Sequence, residues 1–214
     1  MHASEGCVLS PIRSFIYFLF LLSTACFAQE TQNEVGFQLG VDHIPESTTA
    51  EGFSLRFGDS ITFSAAYARH LTGSKTSFSA EIPFAASPSH RVTTANAGSI
   101  SSLASLYVTP SLRVKFLSGE RVSPWFSAGF GYGLYQGSAF LNNGTKNANL
   151  FRNAATAQFG GGVDFRTPLR ILFPISLRAE IRDFHALDTP AFGVPVGHST
   201  QDNIITSGGF VIHF

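Results

Sequence analysis

The chain has 214 residues and a formal net charge of zero, with 13% charged and 44% hydrophobic residues and with 22 Phe and 20 Gly against one Trp and one Met. Soluble domains carry about 25% charged residues, so this is not the profile of a soluble enzyme, and a balanced charge leaves no basic footprint for nucleic acid. Beyond residue 28 no run approaches the roughly 18 consecutive apolar residues of a membrane helix, which leaves one domain built from short elements.

At the start of the chain, Arg13 precedes the apolar run Phe15-Ile16-Tyr17-Phe18-Leu19-Phe20-Leu21-Leu22, and small residues with a cleavage-like Cys26-Phe27-Ala28 follow. This pattern predicts a signal peptide over residues 1–28 and a domain over residues 29–214. The run is about half the length a spanning helix needs. Ser23 stands where a lipoprotein signal usually has Leu, which argues against lipid attachment at Cys26. Cys7 and Cys26 both lie in the excluded segment, so the mature domain offers no thiol for a disulfide, a zinc site or a nucleophile.

From there the hydrophobic period is two rather than 3.6. Val35, Phe37, Leu39 and Val41 alternate with small or polar residues, and Ile61, Phe63, Ala65 and Tyr67 repeat the pattern within Gly58–Leu71. Phe78, Ala80, Ile82 and Phe84 oppose Ser79 and Glu81. Ala104, Leu106, Val108, Leu112, Val114 and Phe116 oppose a face with Arg113 and Lys115. Phe126, Ala128, Phe130, Tyr132 and Leu134 alternate with Ser127 and three glycines. A sixth strand opposes Ala155, Ala157, Phe159, Val163 and Phe165 to a face with Asp164. A seventh opposes Ile175, Leu177, Ala179 and Ile181 to Arg178, Glu180 and Arg182. The last, Asn203–Phe214, carries Thr206, Gly208, Phe210, Ile212 and Phe214 on one parity. Eight strands of this dyad pattern predict an all-β, eight-stranded antiparallel transmembrane β-barrel.

The connections alternate in length, as an even-stranded barrel with both termini on one side requires. Short turns are expected at Thr72–Lys75, Ser118–Arg121 and Thr167–Arg170, and long loops at about 43–57, 85–102, 136–153 and 185–202. Pro83, Pro110 and Pro174 cannot donate to a ladder and are expected at strand ends, bulges or boundaries. Trp125, Tyr67, Tyr132 and Tyr135 are expected in interfacial aromatic girdles.

The terminal Gly208–Phe214, the strand Leu177–Phe184 with its Arg-Glu-Arg face, and the glycine-aromatic strand Phe126–Leu134 resemble the small outer-membrane β-barrels of the OmpA-like and OmpX-like class. The resemblance spans the whole mature chain. It implies export to a bacterial outer membrane, short periplasmic turns, four extracellular loops and contact with outer-membrane lipid. It also implies that Phe210, Ile212 and Phe214 form a C-terminal signal read by the β-barrel assembly machinery, and that the barrel is a monomer.

The inward parity predicts a charge network of Glu81, Arg113, Lys115, Asp164, Arg178, Glu180 and Arg182. In an eight-stranded barrel side chains fill the interior, and buried charges there must pair. This favours a non-enzymatic structural or surface-interaction role without cofactor, with a narrow solute channel as an alternative. A second alternative is a lipid hydrolase resembling the lipid A deacylases, which would use His185, Asp188, His198, Ser199, Thr200 and Asp202 of the last loop. There Thr200 and Gln201 depart from the deacylase pattern. The histidines are scattered singly, without metal-ligand spacing, and are expected at the surface or interface. Gly160-Gly161-Gly162 opens no helix and suits strand curvature or close packing, not phosphate binding.

Overall fold

The computed structural model describes residues 32–48, 54–95, 99–170, 173–187 and 201–214. The proposed signal peptide and the triplet His198-Ser199-Thr200 lie outside these residues. The strands are β1 (Asn33–His43), β2 (Ser47–Thr48), β3 (Ser54–Phe57), β4 (Ser60–Thr72), β5 (Thr76–Thr93), β6 (Ser102–Val108), β7 (Ser111–Phe116), β8 (Val122–Gly137), β9 (Phe151–Arg170), β10 (Pro174–Ala186) and β11 (Ile204–His213). Every pairing is antiparallel. β1 pairs with both β4 and β11, which closes the sheet into a ring. Its eight staves are β1, β4, β5, β6 with β7, β8, β9, β10 and β11; β2 and β3 form a small hairpin above it.

The fourth stave is split at Thr109-Pro110, and this break explains two prolines at once. The Pro83 carbonyl accepts the Thr109 N–H at 3.3 Å. A strand residue aims its N–H and C=O to the same side, so the donor that Pro83 lacks faces the gap in the ladder. Pro83 therefore sits inside β5 rather than at a strand end. Pro174 opens β10 beside a register shift.

Following ladder neighbours from Gln38 through Ser64, Ala85, Tyr107 and Gly133 reaches Ala154 on β9. In the opposite direction, through Gly209 and Arg178, the path reaches Asp164, ten residues away on the same strand. That stagger over eight staves corresponds to a strand tilt of about 43°, near the range in which side chains can fill the interior.

The parity is that of a membrane barrel. Phe37, Leu39, Ile61, Phe63, Phe126, Phe130, Phe159 and Ile181 lie exposed on the outside, while Glu81, Arg113, Arg178 and Arg182 are buried inside. A soluble sandwich would show the reverse. At the seam β1 and β11 exchange hydrogen bonds between Asn33 and Phe214, each 2.9 Å. The Phe37 and Phe210 rings meet at 5.7 Å, and Phe214 meets Phe173 at 6.1 Å.

Several boundaries differ from the sequence expectation. Thr167–Arg170 is the end of β9, not a turn; the chain reverses after Arg170, and the Thr167 hydroxyl donates to the Ile175 carbonyl at 2.6 Å across an irregular ladder. Residues 85–93, expected in a loop, continue β5. Polar side chains there alternate with buried ones in the same period, so composition alone hid the strand.

Candidate functional site

Four carboxylates, Glu34, Glu81, Asp164 and Glu180, and four cations, Arg113, Lys115, Arg178 and Arg182, occupy the lower half of the interior. Arg178 donates to both Asp164 oxygens, at 2.6 and 2.8 Å. Lys115 bridges Glu34 and Asp164, each at 2.7 Å. Glu34 also accepts from Arg113, and His213 Nδ1 lies 3.5 Å from it. Higher up, Arg182 binds Glu81 at 2.9 Å and Glu180 at 3.0 Å, with Arg113 3.4 Å from Glu81. The structure thus brings all seven sequence-predicted interior charges into one network and adds Glu34. Sequence reading passed over Glu34 because it precedes the first clear alternation, yet its parity matches inward Gln38 and Asp42.

Trp125 is the second correction. It is not in a girdle but fully buried, with the guanidinium carbons of Arg178 and Arg182 each 5.0 Å and that of Arg113 5.8 Å from its ring centre. Each such contact adds cation–π attraction to the ion pairs. Gly162 makes room for the indole, since a Cβ there would lie 2.7 Å from Trp125 Cζ2. The middle glycine triplet is therefore a packing device. Tyr135 is also inside, whereas Tyr67 and Tyr132 are exposed on the outer wall.

Above the network an apolar cap closes the loop end. Tyr107 stacks on Phe184 at 4.6 Å and meets Tyr135 edge-on at 5.8 Å, with Ile44, Leu103 and Ile205 buried around them. His90, expected at the surface, is buried beside this cap. Its Nε2 lies 3.1 Å from Asp42 Oδ2, and its Nδ1 lies 2.9 Å from the Gly58 carbonyl, which can only accept, so Nδ1 carries a proton. Ser87 donates to the same Asp42 oxygen at 2.7 Å and meets Thr62 at 2.7 Å. This cluster ties β1 and β5 to the base of the first loop.

The turn end is open instead. A polar cavity of about 440 Å³ is lined by Glu34, His70, Lys115, Asp164, Arg166 and His213 among others. His185 and Asp202 face outward at the loop-end rim with Nδ1–Oδ1 at 2.5 Å, and His43 pairs with Asp59 at 2.8 Å. On the first loop the Ser54 hydroxyl, helped by Arg56, holds the Glu46 carboxyl below its usual range. Among the described residues no group of three His, Cys, Asp or Glu side chains could hold a metal ion.

A closed ring of eight tilted staves, apolar outside and charged within, defines a small outer-membrane β-barrel fold. Neisserial surface protein A shares it with a TM-score of 0.50 and 14% identity, over 85% of this chain and 97% of that one. OprG from Pseudomonas aeruginosa aligns with a TM-score of 0.48 and 12% identity over 87% and 97%, and Ail of Yersinia pestis with 0.45 and 13% over 84% and 99%. No protein-family model and no curated protein matches the sequence.

Glu81→Gln removes the charge shared by Arg113, Arg178 and Arg182. Breaking a buried ion pair on one side costs about 3–5 kcal/mol. Trp125 is the sole tryptophan, so its fluorescence should report a lower denaturation midpoint in detergent for this variant, while Glu46→Gln on the exposed loop leaves the midpoint unchanged.

Proposed function

We propose that the chain is a non-enzymatic protein of a bacterial outer membrane, exported by its first 28 residues, with the turns in the periplasm and the loops outside. Its role is structural or surface-interacting rather than conductive. The observation that carries this is the stacking of two seals in one lumen: the neutral network around Trp125 and, above it, the Tyr107–Phe184 cap. Ions entering the turn-end cavity meet paired charges and then an apolar layer. Planar-bilayer recordings should show no reproducible unitary current; a steady open level would overturn the sealed-lumen reading.

The C-terminal aromatic is proposed as the assembly signal, since Phe214 ends the strand that closes the ring on β1. Phe214→Ala should reach the periplasm at normal levels and reach the outer membrane at reduced yield.

The His185–Asp202 contact favours a second reading, because it holds an imidazole outward as a general base is held, with Nε2 unoccupied. Among the described residues no hydroxyl is hydrogen-bonded to it. Purified protein incubated with lipid A and phospholipid is expected to release no fatty acid; release that disappears in His185→Ala would establish the hydrolase instead.

A further inference from the structure

The loop-end rim is uneven in height and in charge. β8 and β9 stay paired up to Gln136–Phe151, whereas β10 leaves β9 at Ala186–Thr156. Five more residues of a tilted strand raise that side by about 12 Å. On the high side β5, β6, β8 and β9 are consecutive neighbours, and the sequence from Ile82 to Val163 contains a single acid, Glu120, which lies at the turn end. The cations there are Arg91, on the outer face between buried His90 and Val92, Lys146, bridged to Phe140 in the third loop, and Arg152, exposed at the lumen-side lip of the wall opposite Tyr135. Among the described residues none has an acidic partner within ion-pair reach. Glu46 is occupied by Ser54 and Arg56. The low side holds Asp183 and Asp202, while Asp59, next to Gly58 whose N–H donates to the Arg91 carbonyl, is taken up by His43 at 2.8 Å.

Apolar and amide groups accompany these cations. Phe140 and Phe151 are 61% and 56% exposed, and Phe151 is separated from the lipid belt by Asn153 on the same face. Asn142, Asn143 and Asn149 are exposed on the adjoining loop. Neighbouring strands lie about 4.8 Å apart, so the cations from β5 to β9 spread over about 14 Å, the scale of a short oligosaccharide rather than a single phosphate. Unpaired cations call for an anion, amides for hydroxyl-rich groups, and bare rings just above the belt for a partner rooted in the membrane.

We infer that the high rim formed by Arg91, Lys146 and Arg152 binds the phosphate-bearing saccharide headgroup of a neighbouring outer-leaflet glycolipid, an inference that rests on the outer-membrane reading. The cations take the phosphates in charge-assisted contacts, and the exposed rings lie against the apolar edges of the headgroup. The acidic low side repels the same headgroup, so the glycolipid is held on one flank of the barrel.

The test reconstitutes the full mature chain in phosphatidylethanolamine vesicles containing lipopolysaccharide with a phosphorylated core, or the same lipopolysaccharide after dephosphorylation, and measures glycolipid retained with the purified barrel. The wild type should retain the phosphorylated form about tenfold better, equivalent to about 1.4 kcal/mol. The triple variant R91Q/K146Q/R152Q should lose that preference, and D202N on the low side should keep it. Lys146→Gln alone, in a loop outside the barrel wall, should give a partial loss and guards against a folding defect in the triple variant. Equal retention of the two glycolipids by the wild type, or an unchanged preference in the triple variant, overturns the inference. So does equally tight binding of a soluble sulfated polysaccharide in lipid-free detergent, which would assign the rim to a free polyanion. Cell fractionation separates the two readings: a chain found outside the outer membrane that still selects the phosphorylated lipid defeats the location and not the rim.

Discussion

Neutrality inside a narrow ring is the constraint on which the rest of the structure depends. A lipid-spanning sheet must satisfy every backbone group between strands, which forces closure, and closure with eight staves leaves an interior that only side chains can fill. Charges placed there have no water to retreat to. Four carboxylates and four cations meet that condition, with Lys115 and Arg178 sharing Asp164 and with three guanidiniums converging on Glu81. A buried pair is not in itself strongly stabilising. Its value here is register: β1, β5, β7, β9 and β10 each contribute a charge whose partner stands on another stave, so a two-residue slip of one strand strands a charge.

Glycine and tryptophan solve the packing problem that the charges create. Long guanidinium chains entering from β7 and β10 need a flat surface to lie on, and the indole of Trp125 supplies one, at 5.0 Å from two of them. The indole in turn needs space, which Gly162 gives. Gly131 serves a different purpose: a Cβ there would lie 2.2 Å from the Val108 carbonyl, next to the break at Thr109-Pro110. Small residues therefore follow the two irregular places in the interior, the clustered arginines and the interrupted stave.

Much of this was legible in the sequence because period two is both the signal and the cause: the same alternation that faces Phe126 and Phe130 to lipid faces Ser127 inward. The parity of Arg113, Lys115, Arg178, Glu180 and Arg182 followed directly. What period two cannot report is height along the barrel, and the misplacements came from there. Trp125 and Tyr135 have inward parity, but their aromatic character suggested an interface. Residues 85–93 continue β5 above the membrane, where lipid no longer demands apolar outward residues and the alternation loses contrast. Glu34 belongs to a strand whose pattern is visible only after its first residues. His90 acquires its partners from a bulge at Ser87/His90 and from Asp42, 48 residues away, which no local spacing announces.

The two ends of the lumen are then unlike for a physical reason. At the turn end the strands stop with the membrane, and Glu34, Lys115 and Asp164 border a polar cavity. At the loop end β5, β8 and β9 run on past the lipid, and apart from the buried Asp42–His90 contact the lumen-facing side chains there are mostly uncharged. Leu103, Tyr107, Tyr135 and Phe184 fill that volume as a soluble core would. An apolar plug beneath the loops uncouples them from the charges below: loop residues can change in number and charge without altering the balance that the buried network must keep.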